Sequence, residues 1–457
     1  MSNPRAVVLL LMLAYAFNAM DRSIIPIIGQ SIKDDLLISD TQLGLLSGTA
    51  FALLYAFGGL PIARLAERIS RVNIITTALS IWSALTAMCG LVGSFTQLLL
   101  IRMGIGVAEA GCVPPAHSLI SDYVEPRRRA SALSVYSCGI SVGYIMAAIG
   151  GGWVTQRWGW RAACLLVGLP GILMAIIIKR LVREPPRSQE ASSIPPFSLR
   201  SELAELAAVG SVLFCNWSVV NMLLGITIGA FAAYGFYAFL PVYFVRTFDL
   251  DYSAVGLILA FVGGLAVAIG ILAGGFVADR LAQRDRRWYA GVPAAGGLLS
   301  LPLYAAGVID ANWLAATLWL ALAGFFQYAL LGPTFGVLQN VVAPHRRATA
   351  TALLYILLNV VALGGGPLFV GSAIDHFANE RFQEQQSALI TPAKADSFAR
   401  MCPGGQAVDR QFGPRCREAL TSGTRRGLLA SLLFFAWASL HYLMAVPGIR
   451  KALAVSR

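Results

Sequence analysis

Four charged side chains lie inside two long apolar stretches of this sequence, residues 5–29 and 97–121. These four residues are Asp21, Arg22, Arg102 and Glu109. A charge at the centre of a bilayer costs about 2.5–3.5 kcal/mol on insertion scales, so such residues face a protein interior or a water-filled path and handle ions or substrate. The apolar stretches of the second half contain no charge as deep. This asymmetry predicts a transport path with one charged wall.

The spacing in the second of these stretches places Arg102 and Glu109 on one face of a helix. Residues seven apart are separated by about 10.5 Å along the helix axis, which is too far for a direct ion pair. We therefore expect Arg22 to bridge towards Glu109. Asp21 points about 100° away from Arg22 and contacts a different neighbour, on the face that it shares with Asn18. The two acids and two arginines predict one network without net charge.

A neutral network of this kind can couple a proton to transport. When the helices rearrange, Glu109 or Asp21 loses its arginine and binds a proton, because burial disfavours the charged form of a carboxyl group. The freed arginine, Arg22 or Arg102, then holds an anionic headgroup through two hydrogen bonds. Glu109 is the better proton carrier, since Asp21 is covalently tied beside Arg22. The alternative is a structural ion pair that fixes helix register.

The composition is that of a membrane protein. Of the 457 residues, 57% are hydrophobic and 13% are charged, with a mean hydropathy of +0.68, whereas a soluble domain has about 25% charged residues. Continuous apolar stretches of about 20 residues cross a bilayer as helices, and they lack the alternating pattern of a membrane β-barrel. We predict twelve membrane helices, at residues 5–29, 42–63, 74–95, 97–121, 131–153, 162–182, 217–245, 253–277, 289–309, 312–342, 348–375 and 427–447.

The net charge of +12 is distributed by membrane side and is not gathered into a nucleic-acid-binding patch. If both termini are cytoplasmic, most Lys and Arg residues fall in cytoplasmic segments, as the positive-inside rule requires. The short outside loops hold only Lys33, Arg157, Arg161 and Arg246. We expect a monomeric multi-pass protein of a bacterial inner membrane without a nucleic-acid partner.

The chain divides into two halves of six predicted helices. The N-terminal bundle covers residues 1–182 and the C-terminal bundle covers residues 217–457. Between them, residues 183–216 form a Pro-rich cytoplasmic linker that ends in an amphipathic helix on the membrane surface. The second bundle includes a long outside loop, residues 376–426.

That outside loop contains one pair of cysteines, Cys402 and Cys416. An oxidising outside compartment would join them in a disulfide. The alternative is two free thiols in a flexible loop.

Two loops carry the same local pattern at equivalent places in the two halves. Residues 63–71 read Ala-Arg-Leu-Ala-Glu-Arg-Ile-Ser-Arg, and residues 275–284 read Gly-Phe-Val-Ala-Asp-Arg-Leu-Ala-Gln-Arg. Internal repeats of this kind are typical of transporters. The second copy resembles the loop signature Gly-x-x-x-Asp-Arg-x-Gly-Arg-Arg/Lys of the major facilitator superfamily, with Ala282 in place of the later glycine. The first copy departs more, at Ala63, Glu67 and Ser70.

The resemblance covers nearly the whole chain and implies an all-α membrane protein. Its fold would have twelve transmembrane helices in two pseudo-symmetric six-helix bundles. It also implies cytoplasmic loops that latch one face closed. The implied latch residues and partners are Glu67, Arg68, Arg71, Asp122, Arg127, Asp279 and Arg280.

A narrower resemblance, concentrated in the first half, is to the Spinster branch of this superfamily. It rests on residues 18–22 (Asn-Ala-Met-Asp-Arg), on residues 102–110 (Arg-Met-Gly-Ile-Gly-Val-Ala-Glu-Ala) and on the turn at residues 159–161 (Gly-Trp-Arg). Eukaryotic members move sphingoid phosphates and lysophospholipids. The resemblance therefore implies an amphipathic lipid substrate.

Aromatic and amphipathic residues predict a lopsided cavity, with a charged wall from the first half and an apolar wall from the second. Such a cavity fits an amphipathic anion, with its headgroup on the arginines and its chain against the second half. The predicted substrate-binding residues are Arg22, Arg102, Tyr15, Asn18, Phe51, Tyr55, His117, Phe231, Tyr234, Gln327, Tyr355 and Asn359. The alternative for each aromatic residue is ordinary helix packing.

Other motifs do not indicate an enzyme. Residues 139–143 fit the Gly-x-Ser-x-Gly pattern of serine hydrolases, but that motif needs a strand–turn–helix context and here lies inside an apolar helix. No spacing suggests a metal site, a cofactor or a nucleotide-binding loop, so the energy must come from a gradient. We predict a proton-coupled secondary transporter of an amphipathic lipid. The alternatives are a proton-coupled transporter of a small organic anion or drug, a membrane sensor and a membrane enzyme.

Overall fold

The computed structural model describes residues 3–56, 58, 62, 69–125, 128–185, 199–343, 346–387 and 397–453. Every regular element in these residues is helical. The first half contains α1 (Pro4–Ile27), α2 (Gly29–Leu36), α3 (Asp40–Gly44), α4 (Arg71–Cys89), α5 (Phe95–Glu109), α6 (Val113–Tyr123), α7 (Arg129–Met146) and α8 (Gly152–Leu181).

The second half starts with the linker helix α9 (Leu199–Phe214). It continues with α10 (Trp217–Phe248), α11 (Tyr252–Leu259), α12 (Val267–Ala282), α13 (Trp288–Ile309), α14 (Trp313–Tyr328), α15 (Leu331–Val341), α16 (Arg347–Leu357), α17 (Gly364–Ser387), α18 (Phe398–Met401), α19 (Gly413–Ala445) and α20 (Ile449–Ala452). Val209 and Leu213 of α9 pack into the same apolar cluster as residues of α10 and α15. The linker helix is thereby attached to the second bundle.

The predicted membrane helices correspond to the observed ones. In the described residues, ten helices are long and apolar enough to cross a membrane. One of them, Ala132–Leu181, contains two of the predicted spans. The backbone bends between these two spans at Gly159, where φ is +79°. The predicted span at 42–63 lies partly outside the described residues. The protein is a multi-pass membrane protein of two pseudo-symmetric six-helix bundles.

In the described part of the expected long loop at 376–426, most residues are helical. Helix α17 continues to Ser387 and α19 already begins at Gly413. These charged extensions pair with each other across the two helices, through Arg381 with Glu418 at 2.7 Å and Arg426 with Glu380 at 3.1 Å. Low hydropathy marks where a helix leaves the membrane and does not mark where it ends.

The two bundles meet at two close helix crossings near one end of the molecule. We call this the outer end, after the topology predicted from charge. A Cβ on Gly44 would lie 2.2 Å from the carbonyl oxygen of Pro367, and a Cβ on Gly256 would lie 2.2 Å from that of Ala148. Only glycine allows backbones to approach so closely. Gly44 and Gly256 are as far apart in the chain as Ala63 and Gly275 of the two loop copies, so the two crossings are related by the internal repeat.

A π-helical segment lies beside each crossing in all four helices involved. The segments are Leu45–Thr49, Ala147–Gly151, Ala260–Ala266 and Leu358–Leu363. π-Helical turns are rare and are found mostly at functional sites. Their recurrence places irregular backbone in all four helices that form the two crossings.

Residues 397–412, the strap, connect the second bundle to the first at the outer end. Cys402 and Cys416 form a disulfide that closes the strap against the start of α19. Gly404, with φ of +62°, packs against Leu37, and Gln406 donates a hydrogen bond of 2.9 Å to the backbone oxygen of Asp34.

We expect the double variant Cys402→Ala/Cys416→Ala to loosen the strap. Closing a loop of about 15 residues is worth about 3 kcal/mol in the chain-entropy treatment. Limited proteolysis should then cut residues 397–412 much faster than in the parent protein. Cys138→Ala, which removes an exposed free thiol, should leave the cleavage rate unchanged. Equal cleavage of all three proteins would contradict a stabilising role for the disulfide.

Candidate functional site

Glu109 is the centre of a buried hydrogen-bond network between α1 and α5. Arg22 Nε donates to Glu109 Oε2 at 2.6 Å, and Asn18 Nδ2 donates to the same oxygen at 2.9 Å. The carboxyl group of Glu109 is fully buried. The bridge expected from the sequence, from Arg22 to Glu109, is thus present.

Asp21 points to a different pair of partners, as its position beside Arg22 requires. Thr86 Oγ1 donates to Asp21 Oδ1 at 2.6 Å, and Arg102 Nη1 lies 3.7 Å from Asp21 Oδ2. Asp21 and Arg102 are only 2% and 1% exposed. Asp21 and Glu109 lie close enough to interact electrostatically. The two ion pairs therefore lie side by side.

Arg22 is the member of the network that reaches open space. Its side chain is 29% exposed, and its guanidinium carbon lies 4.8 Å from the ring centre of Phe51 and 4.4 Å from that of Tyr55. Arg22 Nη2 is itself buried and has no hydrogen-bond partner among the described residues. A partly exposed cation held against aromatic rings is suited to an anionic ligand.

Tyrosines from both bundles surround Arg22. Tyr15 of α1, Tyr234 of α10 and Tyr355 of α16 all lie close enough to interact with it electrostatically. Tyr234 and Tyr355 are deep in the molecule yet 40% and 52% exposed. Residues with these two properties line an internal cavity. Their position shows that the two bundles contribute to one cavity around Arg22.

Other predicted cavity residues lie elsewhere or are turned away. Gln327 is 3% exposed and accepts a hydrogen bond from Ser300 at 3.0 Å, so it belongs to the packed interior. Asn359 donates to the backbone oxygen of Tyr355 at 2.8 Å. Phe231 packs between Phe369 and Phe434. Arg102 contacts Asp21 and is not exposed to the cavity.

Sequence reasoning missed two residues that support the site, Tyr136 and Thr86. Tyr136 is buried and stacks on Tyr15 with ring centres 4.6 Å apart, while the exposed His117 meets its edge at 5.2 Å. Thr86 looked like one more small residue in an apolar span. A polar side chain in a span is a weak signal, because Ser and Thr hydroxyls can also bond to their own helix.

We expect Thr86→Val to lower the thermal stability of the protein, because it leaves Asp21 Oδ1 buried without its donor. An unsatisfied buried acceptor costs about 1–3 kcal/mol. Thr86→Ser should retain most of the stability. The matched control is Thr76→Val on the same helix, whose hydroxyl bonds only to backbone oxygens of that helix. Equal melting temperatures for Thr86→Val and Thr76→Val would contradict this role.

In the described part of the chain, Arg71 is the only predicted latch residue of the first loop that forms a cluster of ion pairs and hydrogen bonds. It pairs with Asp122 at 2.6 Å and with Glu184 at 2.7 Å, and it donates to Ser118 Oγ at 2.8 Å. Burial tends to raise the pKa of Glu184, but hydrogen bonds from the backbone of Val72 and from Arg71 lower this pKa below its ordinary value. Arg71 ties the start of α4 to the ends of α6 and α8.

The remaining predicted latch residues are either outside the described residues or not part of an ion-pair cluster like that of Arg71. Glu67, Arg68 and Arg127 lie outside the described residues. In the second loop, Asp279 accepts a hydrogen bond of 3.0 Å from Tyr289, and Arg280 is exposed. Their gating role stays a prediction.

A second charge cluster, the outer gate, joins the bundles between α2, α3, α10 and α19. Asp40 is fully buried and accepts from Lys33 at 2.6 Å and from Arg246 at 2.7 Å. Arg246 also donates to Gln30 at 2.7 Å and to Thr424 at 2.9 Å. Burial alone would raise the pKa of Asp40, but Arg246 and Lys33 outweigh it and hold this pKa below its ordinary value.

Asp375 completes the outer gate by capping a helix of the other bundle. Its carboxylate accepts from the backbone N–H groups of Asp40 and Thr41 at 3.0 and 2.8 Å, and from the hydroxyl of Thr41 at 2.6 Å. The first N–H groups of a helix have no partner within it, and the helix dipole favours a negative charge there. Separating the bundles removes this cap from α3.

Comparison with known proteins identifies a family profile and several similar proteins. The sequence profile of the Major Facilitator Superfamily matches residues 11–367. An MFS-type efflux pump of Mycolicibacterium smegmatis (strain ATCC 700084 / mc(2)155) is 29% identical over 382 residues, which are 82% of this chain and 85% of that protein. Protein spinster homolog 1 of Xenopus tropicalis is 27% identical over 422 residues, 87% of this chain and 79% of that protein.

A solved structure is similar over the full length. It is a bacterial homologue of the human lysosomal transporter Spinster, in an inward-facing and unoccupied conformation. The sequence identity is 30%, the TM-score is 0.83, and the match covers 100% of this chain and 98% of that chain.

Proposed function

The chain belongs to the major facilitator superfamily and is a secondary transporter, not an enzyme, and we propose that it couples protons to the movement of an amphipathic anionic lipid. The lipid would be of the lysophospholipid or sphingoid phosphate type. The observation that carries this proposal is the position of Arg22. It is bound to the buried carboxylate of Glu109 on one side and reaches a cavity lined by tyrosines of both bundles on the other.

Proton uptake by Glu109 would release Arg22 for the substrate. In the described state Glu109 Oε2 accepts from both Arg22 and Asn18. A proton on this carboxyl group removes its negative charge, so the charge-assisted hydrogen bond to Arg22 weakens. The guanidinium group then binds an anionic headgroup. Binding of the proton and binding of the substrate thus support each other.

The opposite wall of the cavity favours an apolar chain. The second half has no charged residue deep in its membrane helices. Tyr355 packs against Phe335 with ring centres 5.9 Å apart, and Tyr234 is exposed to the same space. These rings offer large apolar surfaces with a polar tip. A sugar would need polar groups on both walls.

Alternating access would separate the bundles at the outer end. The outer gate, the strap and the two glycine crossings hold this end closed in the structure. Opening requires Asp40 and Arg246 to part and the four π-helical segments to move. We further propose a monomer in a bacterial inner membrane. The charge distribution favours both termini in the cytoplasm.

A second candidate is the proton-coupled transport of a small organic anion or drug. It is favoured by the similarity to an efflux pump over most of the chain. Arg22 would bind a small anion equally well, because only the headgroup contacts it.

The test is transport in proteoliposomes under an imposed pH gradient. A fluorescent lysophospholipid, a sphingoid phosphate and a sugar acid are compared as substrates. We expect gradient-dependent movement of at least one lipid. Movement of the sugar acid alone would replace the lipid by a small organic anion, and movement independent of the gradient would contradict proton coupling.

A further inference from the structure

We propose that the cavity selects a headgroup with a single negative charge, a phosphodiester or a carboxylate, over a phosphomonoester dianion. This inference rests on the proposed function, which it narrows from anionic lipids to monoanionic ones. It follows from the number of charges that face the cavity and from how each is already paired.

Among the described residues, only one charged side chain deep in the membrane spans has a substantial exposed surface. The sequence places four such charges in the spans, and three of them are closed off: Glu109 at 0%, Arg102 at 1% and Asp21 at 2% exposure. Arg22 is 29% exposed. The nearby groups from other helices are tyrosines, which are neutral, and His117 at the edge of Tyr136, whose imidazole is uncharged at the pH 8 used below, well above the ordinary pKa of about 6.5. A ligand in the cavity therefore meets one cation.

The geometry of Arg22 limits it to one anionic group. In the empty state its Nε donates to Glu109, and the rings of Phe51 and Tyr55 lie against the guanidinium group. Nη2 is buried and unpartnered among the described residues, so only part of the guanidinium group faces open space. The group carries one positive charge and binds one pair of oxygens at a time, whether they come from a phosphodiester or a carboxylate.

The charge balance of the network decides between one and two negative charges. Asp21 and Glu109 balance Arg22 and Arg102, so the empty network is neutral. One proton on Glu109 makes it singly positive, and one monoanion restores neutrality. A dianion would leave an uncompensated charge in a poorly solvated interior, which costs several kcal/mol. The same balance gives one proton for each substrate molecule.

The test is a binding measurement with two probes that differ by one charge. Dodecyl phosphate and its monomethyl ester have the same tail and the same tetrahedral phosphorus. Because the second ionisation of a phosphomonoester has a pKa of about 6, dodecyl phosphate is a dianion at pH 8 and mostly a monoanion at pH 5. The ester is a monoanion at both values. Binding is measured by isothermal titration calorimetry on the intact protein in nanodiscs.

At pH 8 we expect the ester to bind at least about tenfold more tightly than dodecyl phosphate, which corresponds to about 1.4 kcal/mol. At pH 5 the two probes should bind alike. Equal binding at pH 8, or tighter binding of dodecyl phosphate, would overturn the proposal. This binding measurement needs no transport, so it is separate from the liposome test. Lipid transport can fail while the binding selectivity holds, and the binding selectivity can fail while lipid transport holds.

A second cation in the cavity should reverse the selectivity. Tyr355→Arg places a positive charge on the wall opposite Arg22, at a position that is 52% exposed. We expect this variant to prefer dodecyl phosphate at pH 8 by about tenfold. Tyr355→Gln, a polar substitution without charge, is the control and should keep the preference for the ester. An unchanged preference in a folded Tyr355→Arg protein would show that charge balance does not set the selectivity.

Discussion

Glu109→Gln should lower the accumulation of substrate against its gradient at least about tenfold. The purified variant should still bind substrate. Glutamine keeps the shape and hydrogen-bonding atoms of a protonated glutamic acid but carries no proton to release. The residue is fully buried, and Arg22 and Asn18 both donate to it. The variant is therefore fixed in the state that frees Arg22. Binding should lose its dependence on pH, because the titrating group is gone.

The measurement is uptake into proteoliposomes with and without a pH gradient, together with counterflow exchange at equal pH. The matched control is Glu384→Gln, which makes the same chemical change in an exposed ion pair with Arg381. The control should accumulate substrate normally. Normal gradient-driven uptake by Glu109→Gln would remove Glu109 from the proton pathway and leave the network as a structural ion pair.

Arg246→Ala should open the outer end of the protein. The substitution leaves the buried carboxylate of Asp40 with Lys33 as its remaining cationic partner and also removes the bonds to Gln30 and Thr424. Removing one partner of a buried ion pair costs about 3–5 kcal/mol when the other charge is left unpaired, and the cost is smaller here because Lys33 remains. The cost applies to the closed outer gate, since opening lets water reach Asp40. The equilibrium should therefore shift towards the open outer end, by less than the about 5.5 kcal/mol that a change from 1:99 to 99:1 needs.

The opening can be measured as a distance between spin labels on opposite bundles. Gly93 and Ala311 are exposed in outer loops of the first and second halves, and cysteines can be introduced there after the exposed Cys138 and Cys215 are replaced by serine. We expect a longer distance in Arg246→Ala. Arg381→Ala removes two exposed ion pairs, with Glu384 and Glu418, each worth about 0–1 kcal/mol, and should not change this distance. An unchanged distance in Arg246→Ala would mean that the glycine crossings and the strap hold the outer end closed without the gate.

The sequence by itself determined the membrane helices and the charges that lie inside them. Apolar stretches long enough to cross a bilayer are a local property, since each helix satisfies its own backbone hydrogen bonds. The cost of burying a charge singled out Asp21, Arg22, Arg102 and Glu109 before any contact was known. Residue spacing alone also indicated that Arg22, and not Arg102, would bond to Glu109.

Only the tertiary structure decided which residues surround these charges. Thr86 and Tyr136 resemble ordinary residues of apolar spans, and their roles depend on what the neighbouring helix presents to them. The structure also separated Gln327, which is packed inside, from Tyr355, which faces the cavity. Helical periodicity gives the face of a residue but not the partner of that face.

The outer gate is the clearest example of contacts that the sequence alone does not determine. Lys33 and Arg246 were interpreted only as charges of short outside loops, and Asp375 only as the end of a span. The fold brings them to Asp40 from distant parts of the chain and from both bundles. The hydrophobic effect that sets each membrane helix acts locally along the chain, whereas the pairing of charges between bundles depends on how complete helices pack. For that reason the sequence determined where this protein crosses the membrane, and only the tertiary structure decided how its outer end is closed.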